Sequence, residues 1–500
     1  MSDHLLAIDQ GTTSTRSLLI DSAGRLLSTA QREFPQSYPK SGWVEHDPLT
    51  IWQDVLETAR EAIAKSDAPV AAIGIANQRE TTLVWDRATG IPVYPAIVWQ
   101  DRRTAQHCER LRHGGHEALI RDRTGLLLDP YFSATKLAWI LEHVEGVRER
   151  AGRGELAFGT IDSFLLWHLT EGAVHATDAT NASRTMLFDI HRQCWDEDLL
   201  KLFNVPEALL PEVRDSSHLY GVTAKGLFDK QIPVAGMAGD QHAALIGQAC
   251  FNPGMAKATY GTGCFFLLNT GEEALPPAKG MLTTLAYRTE GRPIYAAEGS
   301  IFAAGAVLKW LRDRLELFKD VSQTSLIAAH AGGNEGVYLV PAFAGLGAPY
   351  WDPNARGLIC GLTLDTGPEH IIRAALESAA YQTVDLTGAI TAGGGPPRAL
   401  RIDGGMAAND WFCQFLADVL AAPVERPAML EATAQGAAFL AGLQVGIFSG
   451  FAAISAAWKA SARFEARMGG DERERLIAGW RNAVARTLTR VSSAGAPPIK

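Results

Sequence analysis

Five hundred residues exceed what one compact core holds and leave room for roughly two to four domains. With 47% hydrophobic and 20% charged residues the chain has an ordinary globular composition, and no apolar run reaches the roughly 18 residues of a membrane span. A formal net charge of −9 without any basic block argues against nucleic acid as a partner, although backbone amides and a metal ion can still hold a nucleotide locally.

The start, Met1-Ser2-Asp3-His4, leads at once into an apolar strand at 5–8, and it lacks the basic start, apolar run and cleavage site of a signal peptide. The cytoplasm is therefore the expected compartment. Between this strand and the next, at 16–21, lie Asp9, Gln10, Gly11, Thr12, Thr13, Ser14, Thr15 and Arg16, an acid followed by a tight turn and a run of hydroxyls. Ser22-Ala23-Gly24 turns into a third strand at 25–28, completing an antiparallel meander. Asp47-Pro48 opens a helix as cap and first residue, with a stripe of Ile51, Trp52, Val55, Leu56, Ala59 and Ile63. A buried strand at 70–76 ends on Asn77-Gln78-Arg79-Glu80, and another strand follows at 81–85.

Further on, Gly236-Met237-Ala238-Gly239 delivers Asp240 at a strand end, and Gln241-His242-Ala243-Ala244 begins a helix whose N-cap Asp240 could equally be. The second half opens near Pro253-Gly254. There Ala258-Thr259-Tyr260-Gly261-Thr262-Gly263-Cys264 repeats the Gly-Thr turn between strands. A helix is expected at 305–310, a Gly- and Pro-rich loop at 391–397 and a strand at 399–402 running into Asp403-Gly404-Gly405. Asn409 or Asp410 caps the next helix, whose apolar face is Trp411, Phe412, Phe415, Leu416, Val419 and Leu420. A final helix covers 471–491, and 492–500 reads as a frayed terminus. Strands alternating with amphipathic helices indicate an α/β fold. The six scattered cysteines form no Cys-x-x-Cys pair and read as reduced thiols, and His113-Gly114-Gly115-His116 reads as an exposed turn, not a metal pair.

A turn rich in Gly, Thr and Ser presents amides and hydroxyls that can hold phosphate oxygens. No Walker A pattern occurs, so this is a different phosphate cradle. Two such turns facing each other would hold a nucleoside triphosphate between two lobes. Asp9 sits where a carboxylate can reach a magnesium ion bridging phosphates. Asp240 can supply the carboxylate that phosphoryl transfer to a hydroxyl requires. The glycines after Asp403 permit close approach of a base or ribose. Taken singly, Arg79-Glu80 could be a surface ion pair and Trp99 a core aromatic.

Together, these turns, Gly239-Asp240-Gln241 and Asp403-Gly404-Gly405 resemble the FGGY carbohydrate kinases of the actin-like ATPase superfamily, from about residue 4 to 490. Asn77-Gln78-Arg79-Glu80, Val98-Trp99-Gln100-Asp101-Arg102-Arg103, Tyr131 and Gly261-Thr262-Gly263-Cys264-Phe265 resemble those members that act on glycerol. The resemblance implies two actin-like (ribonuclease H-like) lobes, 1–250 for glycerol and phosphates and 251–500 for the adenine nucleotide, with the cleft between them. It implies ATP and Mg²⁺, glycerol 3-phosphate as product, and a homodimer or homotetramer. Arg79, Glu80, Tyr131, Asp240 and Gln241 would bind the glycerol hydroxyls, Trp99 and Phe265 would wall its carbons, and Asp240 would be the base. Asp9 would help to hold Mg²⁺. Gly11, Thr12, Thr13, Ser14 and Arg16 would meet the β- and γ-phosphates, and Thr262, Gly305, Lys309, Gly405 and Asn409 would line the rest of the nucleotide site. Lys309 stands where many glycerol-specific members carry Gln. The stretch Gly226-Leu227-Phe228-Asp229-Lys230-Gln231 lacks the Gly-rich, Arg-containing loop with which some bacterial members bind fructose 1,6-bisphosphate, and the segment after Ser216 lacks their phosphorylatable His loop. Neither form of regulation is expected. A kinase for another polyol or a pentulose, and an ATPase acting as a filament or chaperone module, are the alternatives.

Overall fold

A computed structural model describes residues 4–66, 68–276, 280–390 and 397–489. It is built on two mixed sheets. The first has six strands in the spatial order Ser217–Val222, Pro233–Gly239, Val70–Asn77, His4–Gln10, Ser14–Ile20, Leu26–Glu33. The second has seven, in the order Leu282–Thr289, Arg292–Ile301, Cys264–Gly271, Met255–Tyr260, Ala399–Asp403, Val424–Pro427, Ala460–Phe464. Their wiring is the same. His4–Gln10 runs antiparallel to Ser14–Ile20 and parallel to Val70–Asn77, and Met255–Tyr260 runs antiparallel to Cys264–Gly271 and parallel to Ala399–Asp403. The repeated Gly-Thr turn is thus the same hairpin connection used once in each α/β lobe.

Local signals placed most elements well. Asp47 caps the helix Pro48–Ile63 by accepting from the Leu49 amide, and Asn409, not Asp410, caps Asp410–Leu420 by accepting from the Phe412 amide. The third strand is longer than expected, Leu26–Glu33, because ladder pairing with Ser14–Ile20 carries it through a polar stretch that has no apolar alternation. The strand expected at 81–85 begins only at Leu83, since Glu80 adopts φ +61° and breaks the extended backbone. The helix expected at 305–310 runs Gly305–Asp313, and the final helix is Gly470–Thr487. Most of the loop expected at 391–397 and the terminus at 492–500 lie outside the described residues. No described helix is long and apolar enough to cross a membrane, and all six cysteines are free.

The lobes join through two helices. Asp240–Gly247 continues from the first sheet, Ala432–Gln444 from the second, and at Gly247 and Gly436 their backbones meet with no side chain between them. A Cβ on Gly436 would sit 1.8 Å from the Ala243 carbonyl oxygen, and one on Gly247 would sit 1.9 Å from that of Ala432. Around them Leu5, Leu18, Leu245, Leu267, Phe439 and Leu440 form a buried core shared by both lobes. An excursion of the first lobe has its own core, including Leu126, Phe132, Leu137, Phe158 and Phe203, and brings Trp99 and Tyr131 to the cleft.

Candidate active site

Three parallel strands end side by side at the base of the cleft. Asp9 lies opposite Ala76, Gln10 opposite Asn77, and Gly239 also opposite Asn77. The next residues along each chain are therefore neighbours: Gly11 and its hydroxyl turn, Gln78-Arg79-Glu80, and Asp240-Gln241. The carboxyl ends of parallel strands are where open α/β sheets place ligands.

Arg79 and Glu80 are both buried, and they do not pair with each other as a surface ion pair would. The positive φ of Glu80 sends the two side chains to different partners. Arg79 grips Glu298 with both terminal nitrogens, at 2.8 and 3.0 Å, and its Nε lies 3.2 Å from Asp240 Oδ1. Glu80 Oε1 accepts from Arg184 Nε at 2.7 Å, and among the described residues no donor is found for Oε2. Arg184 also reaches Glu298, at 3.1 and 3.2 Å. Burial opposes the ionisation of Glu298, but Arg184 and Arg79 outweigh it and hold the carboxyl down to about 2. Burial pushes Glu80 up against the opposing pull of the same arginines.

Asp240 is the first residue of its helix. Its Oδ1 accepts from the adjacent Gln241 amide at 2.7 Å, so the carboxylate does not make the bond of an N-cap. It remains partly exposed, at 28% of its side chain, as a group that meets substrate must be. Gln241 Oε1 accepts from Lys257, a buried lysine that also donates to Thr259 Oγ1 at 3.1 Å. Burial pushes the Lys257 ammonium down while Asp403 and Asp240 support it. Trp99, Tyr131 and Phe265 meet edge to face, Trp99 lying 5.5 Å from Tyr131 and 6.4 Å from Phe265. Trp99 is only partly buried, so it lines the cleft instead of filling a core. The Lys136 ammonium, on the Tyr131 and Phe132 carbonyls, fixes the start of the helix behind Tyr131.

In the first hydroxyl turn the Gly11 amide donates to the Ser14 carbonyl at 2.9 Å. Arg16 bridges Asp9 at 2.8 Å and Glu431 at 2.5 Å. Burial pushes Asp9 up to about 6; Arg16 opposes this, and Asp240 and Glu431 add to it. In the second lobe three segments converge. The amides of Ala304 and Gly305 donate to the Thr262 and Gly261 carbonyls at 2.9 and 3.0 Å, so the Gly305 amide is already spent. A Cβ on Gly305 would lie 2.6 Å from the Gly261 oxygen and 3.8 Å from Met406, the neighbour of Gly405. Gly405 is exposed with open space beside it, and Lys309 is exposed one turn along the helix from Gly305. Asn409 is engaged at both ends, its Nδ2 donating to Thr324 Oγ1 at 3.1 Å.

His242 turns away toward Thr284, 3.4 Å from its Oγ1. His113 is exposed, and among the described residues no three His, Cys, Asp or Glu side chains are grouped to hold a metal ion. Arg184, Lys257, Glu298 and Glu431 were not anticipated. A signal existed for Lys257 and Glu298: each is a lone charge among small apolar residues of a strand, a setting in which charges are buried only with a partner.

The N-terminal domain model of the FGGY family of carbohydrate kinases matches residues 4–247, and the C-terminal domain model of that family matches 256–445. A glycerol kinase of Gluconobacter oxydans (strain 621H) is 60% identical over 490 residues, which cover 97% of this chain and 96% of the relative. Glycerol kinase 1 of Pseudomonas aeruginosa is 56% identical over 489 residues, 97% of this chain and 99% of the relative. A crystal structure of Plasmodium falciparum glycerol kinase with ADP matches with a TM-score of 0.94 at 36% identity, covering 98% of this chain and 99% of that one.

Proposed function

Because the chain belongs to the FGGY family of carbohydrate kinases, we propose that it transfers the γ-phosphoryl group of ATP to a terminal hydroxyl of glycerol, giving sn-glycerol 3-phosphate. The observation that carries this reading is the meeting of Arg79, Glu80 and Asp240 at the strand ends beside the hydroxyl turn, facing the rings of Trp99, Tyr131 and Phe265. A triol is nearly all polar edge, so its selection needs convergent polar groups that would be stranded by an analogue lacking a hydroxyl.

Glycerol lies with its carbons against Trp99 and Phe265 and its hydroxyls on Arg79, Glu80, Tyr131 and Gln241. Oε2 of Glu80, for which no donor is found among the described residues, accepts from one of them. Asp240 accepts the proton of the terminal hydroxyl as its oxygen attacks the γ-phosphorus in line and the bond from that phosphorus to the β,γ-bridging oxygen breaks, releasing ADP. Thr12, Thr13, Ser14 and Arg16 hold the β- and γ-phosphates, while Thr262, Gly405 and Asn409 flank the rest of the nucleotide. Gly305 serves by having no side chain, which lets the second turn and the helix start approach, and its amide plays no part in holding phosphate. The 1–250 portion supplies most groups for glycerol and phosphates and 251–500 most of the nucleotide side, Phe265 being the exception. Approach of the lobes excludes water and so suppresses ATP hydrolysis.

Asp9 fits a divalent cation: it is a buried carboxylate whose ionisation is opposed by Asp240 and Glu431 and only partly supported by Arg16. Asp9 would help to hold Mg²⁺, which when bound would supply charge neutralisation on the triphosphate.

The test is ADP production from Mg-ATP with and without glycerol, in the parent and in Asp240→Asn. Glycerol-dependent turnover that falls by roughly 10²–10⁴-fold in the variant supports both substrate and base. Turnover indifferent to glycerol overturns the substrate, and turnover surviving the substitution removes Asp240 as base.

A further inference from the structure

Glu298 and Arg184 lie behind the groups assigned to glycerol and touch them from the far side. Glu298 is on Arg292–Ile301 of the second lobe, opposite Leu267, and Phe265 lies two residues along on the same face of that sheet. Arg79 and Arg184 come from the first lobe and flank the Glu298 carboxylate, Arg79 with its guanidinium carbon 5.8 Å from the Phe265 ring centre. The result is a line of alternating charge, Asp240, Arg79, Glu298, Arg184, Glu80, buried except at Asp240. Its two ends are the carboxylates that face the proposed substrate.

We propose that Glu298 and Arg184 are positioning residues: Glu298 occupies Arg79 and Arg184, which would otherwise cover Asp240 and Glu80, and Arg184, forked between Glu298 and Glu80, holds Glu80 by Oε1 alone so that Oε2 faces glycerol. This rests on the assignment of Asp240 and Glu80 to the glycerol site. Arg79 grips Glu298 through both terminal nitrogens, at 2.8 and 3.0 Å, and touches Asp240 only through Nε, at 3.2 Å. A guanidinium pairs most strongly when two parallel N–H groups meet one carboxylate. With Glu298 neutralised, the strongest arrangement left to Arg79 is that fork on Asp240, which would occupy the oxygens needed for the attacking hydroxyl. Arg184, free of Glu298, would fork onto Glu80 in the same way and take the Oε2 for which no donor is found among the described residues. The device spans the lobes, since one charge on a strand of the second sheet sets two side chains of the first lobe.

The experiment measures KM for glycerol, KM for ATP and kcat in the parent, Glu298→Gln and Arg184→Lys, with thermal melts to establish folding. Glu298→Gln keeps the shape but not the charge, and Arg184→Lys keeps the charge but not the fork. In each variant that folds, glycerol KM should rise roughly tenfold or more, with kcat lowered and ATP KM within about twofold of the parent. Glycerol KM and kcat within about twofold of the parent overturn the proposal, as do equal rises in both KM values, the mark of a merely structural role. Should Glu298→Gln not fold, Arg184→Lys decides alone. A parent without glycerol-dependent turnover overturns the glycerol assignment instead, an outcome separate from a parent that works and variants that match it.

Discussion

The indole Nε1–H of Trp99 donates to Oγ1 of Thr12 at 2.9 Å, across 87 residues of sequence. One side chain therefore joins the proposed wall of the polyol site to a hydroxyl of the proposed phosphate turn. Trp99→Phe keeps a ring and removes the bond. Both KM values, for glycerol and for ATP, should rise by roughly 3–10-fold, the worth of one hydrogen bond of about 0.5–1.5 kcal/mol. Steady-state kinetics with each substrate varied checks this, and an unaltered ATP KM would show that the bond does not connect the two halves of the site.

Asp9 is held between Arg16 and the negative potential of Asp240 and Glu431. Asp9→Asn should raise the Mg²⁺ concentration for half-maximal turnover by roughly tenfold or more, the usual size for losing a group that orients a bound metal. Titrating Mg²⁺ at fixed ATP measures it. Arg16 keeps Glu431 as its partner at 2.5 Å, so the fold should survive.

Behind the strand ends, Asp162 accepts from Thr160, from Thr177 at 2.6 Å and from Asn77 at 3.3 Å, with no cation among these partners. Burial pushes its carboxyl from 3.8 up to about 7, against the pull of the Thr160 and Thr177 hydroxyls. The folded state thus binds the proton more tightly than the unfolded state. Its stabilising contribution is complete below pH 3.8 and is lost as pH rises through about 7. Asp162→Asn does not titrate. Melting temperatures at about pH 5 and about pH 8 should show the variant gaining on the parent with rising pH, by at most a few kcal/mol. A pH-independent gap would mean that Asp162 is ionised throughout.

The helix pair joining the lobes gives a stability test with its own control. A Cβ at Gly436 would sit 1.8 Å from the Ala243 oxygen, whereas one at Gly388, exposed within the helix Pro368–Ile390, would meet nothing within 4 Å among the described residues. Gly436→Ala should cost roughly 1–3 kcal/mol or more through overpacking. Gly388→Ala should gain about 0.5–1 kcal/mol from helix propensity. Thermal or denaturant unfolding separates the two, and equal effects would refute the close approach.

What the sequence decided by itself is whatever depends on neighbours along the chain. The hydroxyl turns at Gly11 and Gly261, the caps at Asp47 and Asn409 and the strand leading to Asp240 are local, because turn chemistry and capping involve residues a few positions apart. Their repetition with the same surroundings announced two like lobes. The tertiary structure alone decided the charges. Arg79 and Glu80 are adjacent in sequence, yet a positive φ parts them, and their partners stand 219 and 104 residues away. A buried ion must be paired, but Coulomb attraction says nothing about where in the chain the partner is found; only the packing of one lobe against the other brings Glu298 to both arginines. The same holds for Lys257 and Gln241, and for Trp99 and Thr12, where contact follows from strand order and lobe packing and leaves no periodicity to read.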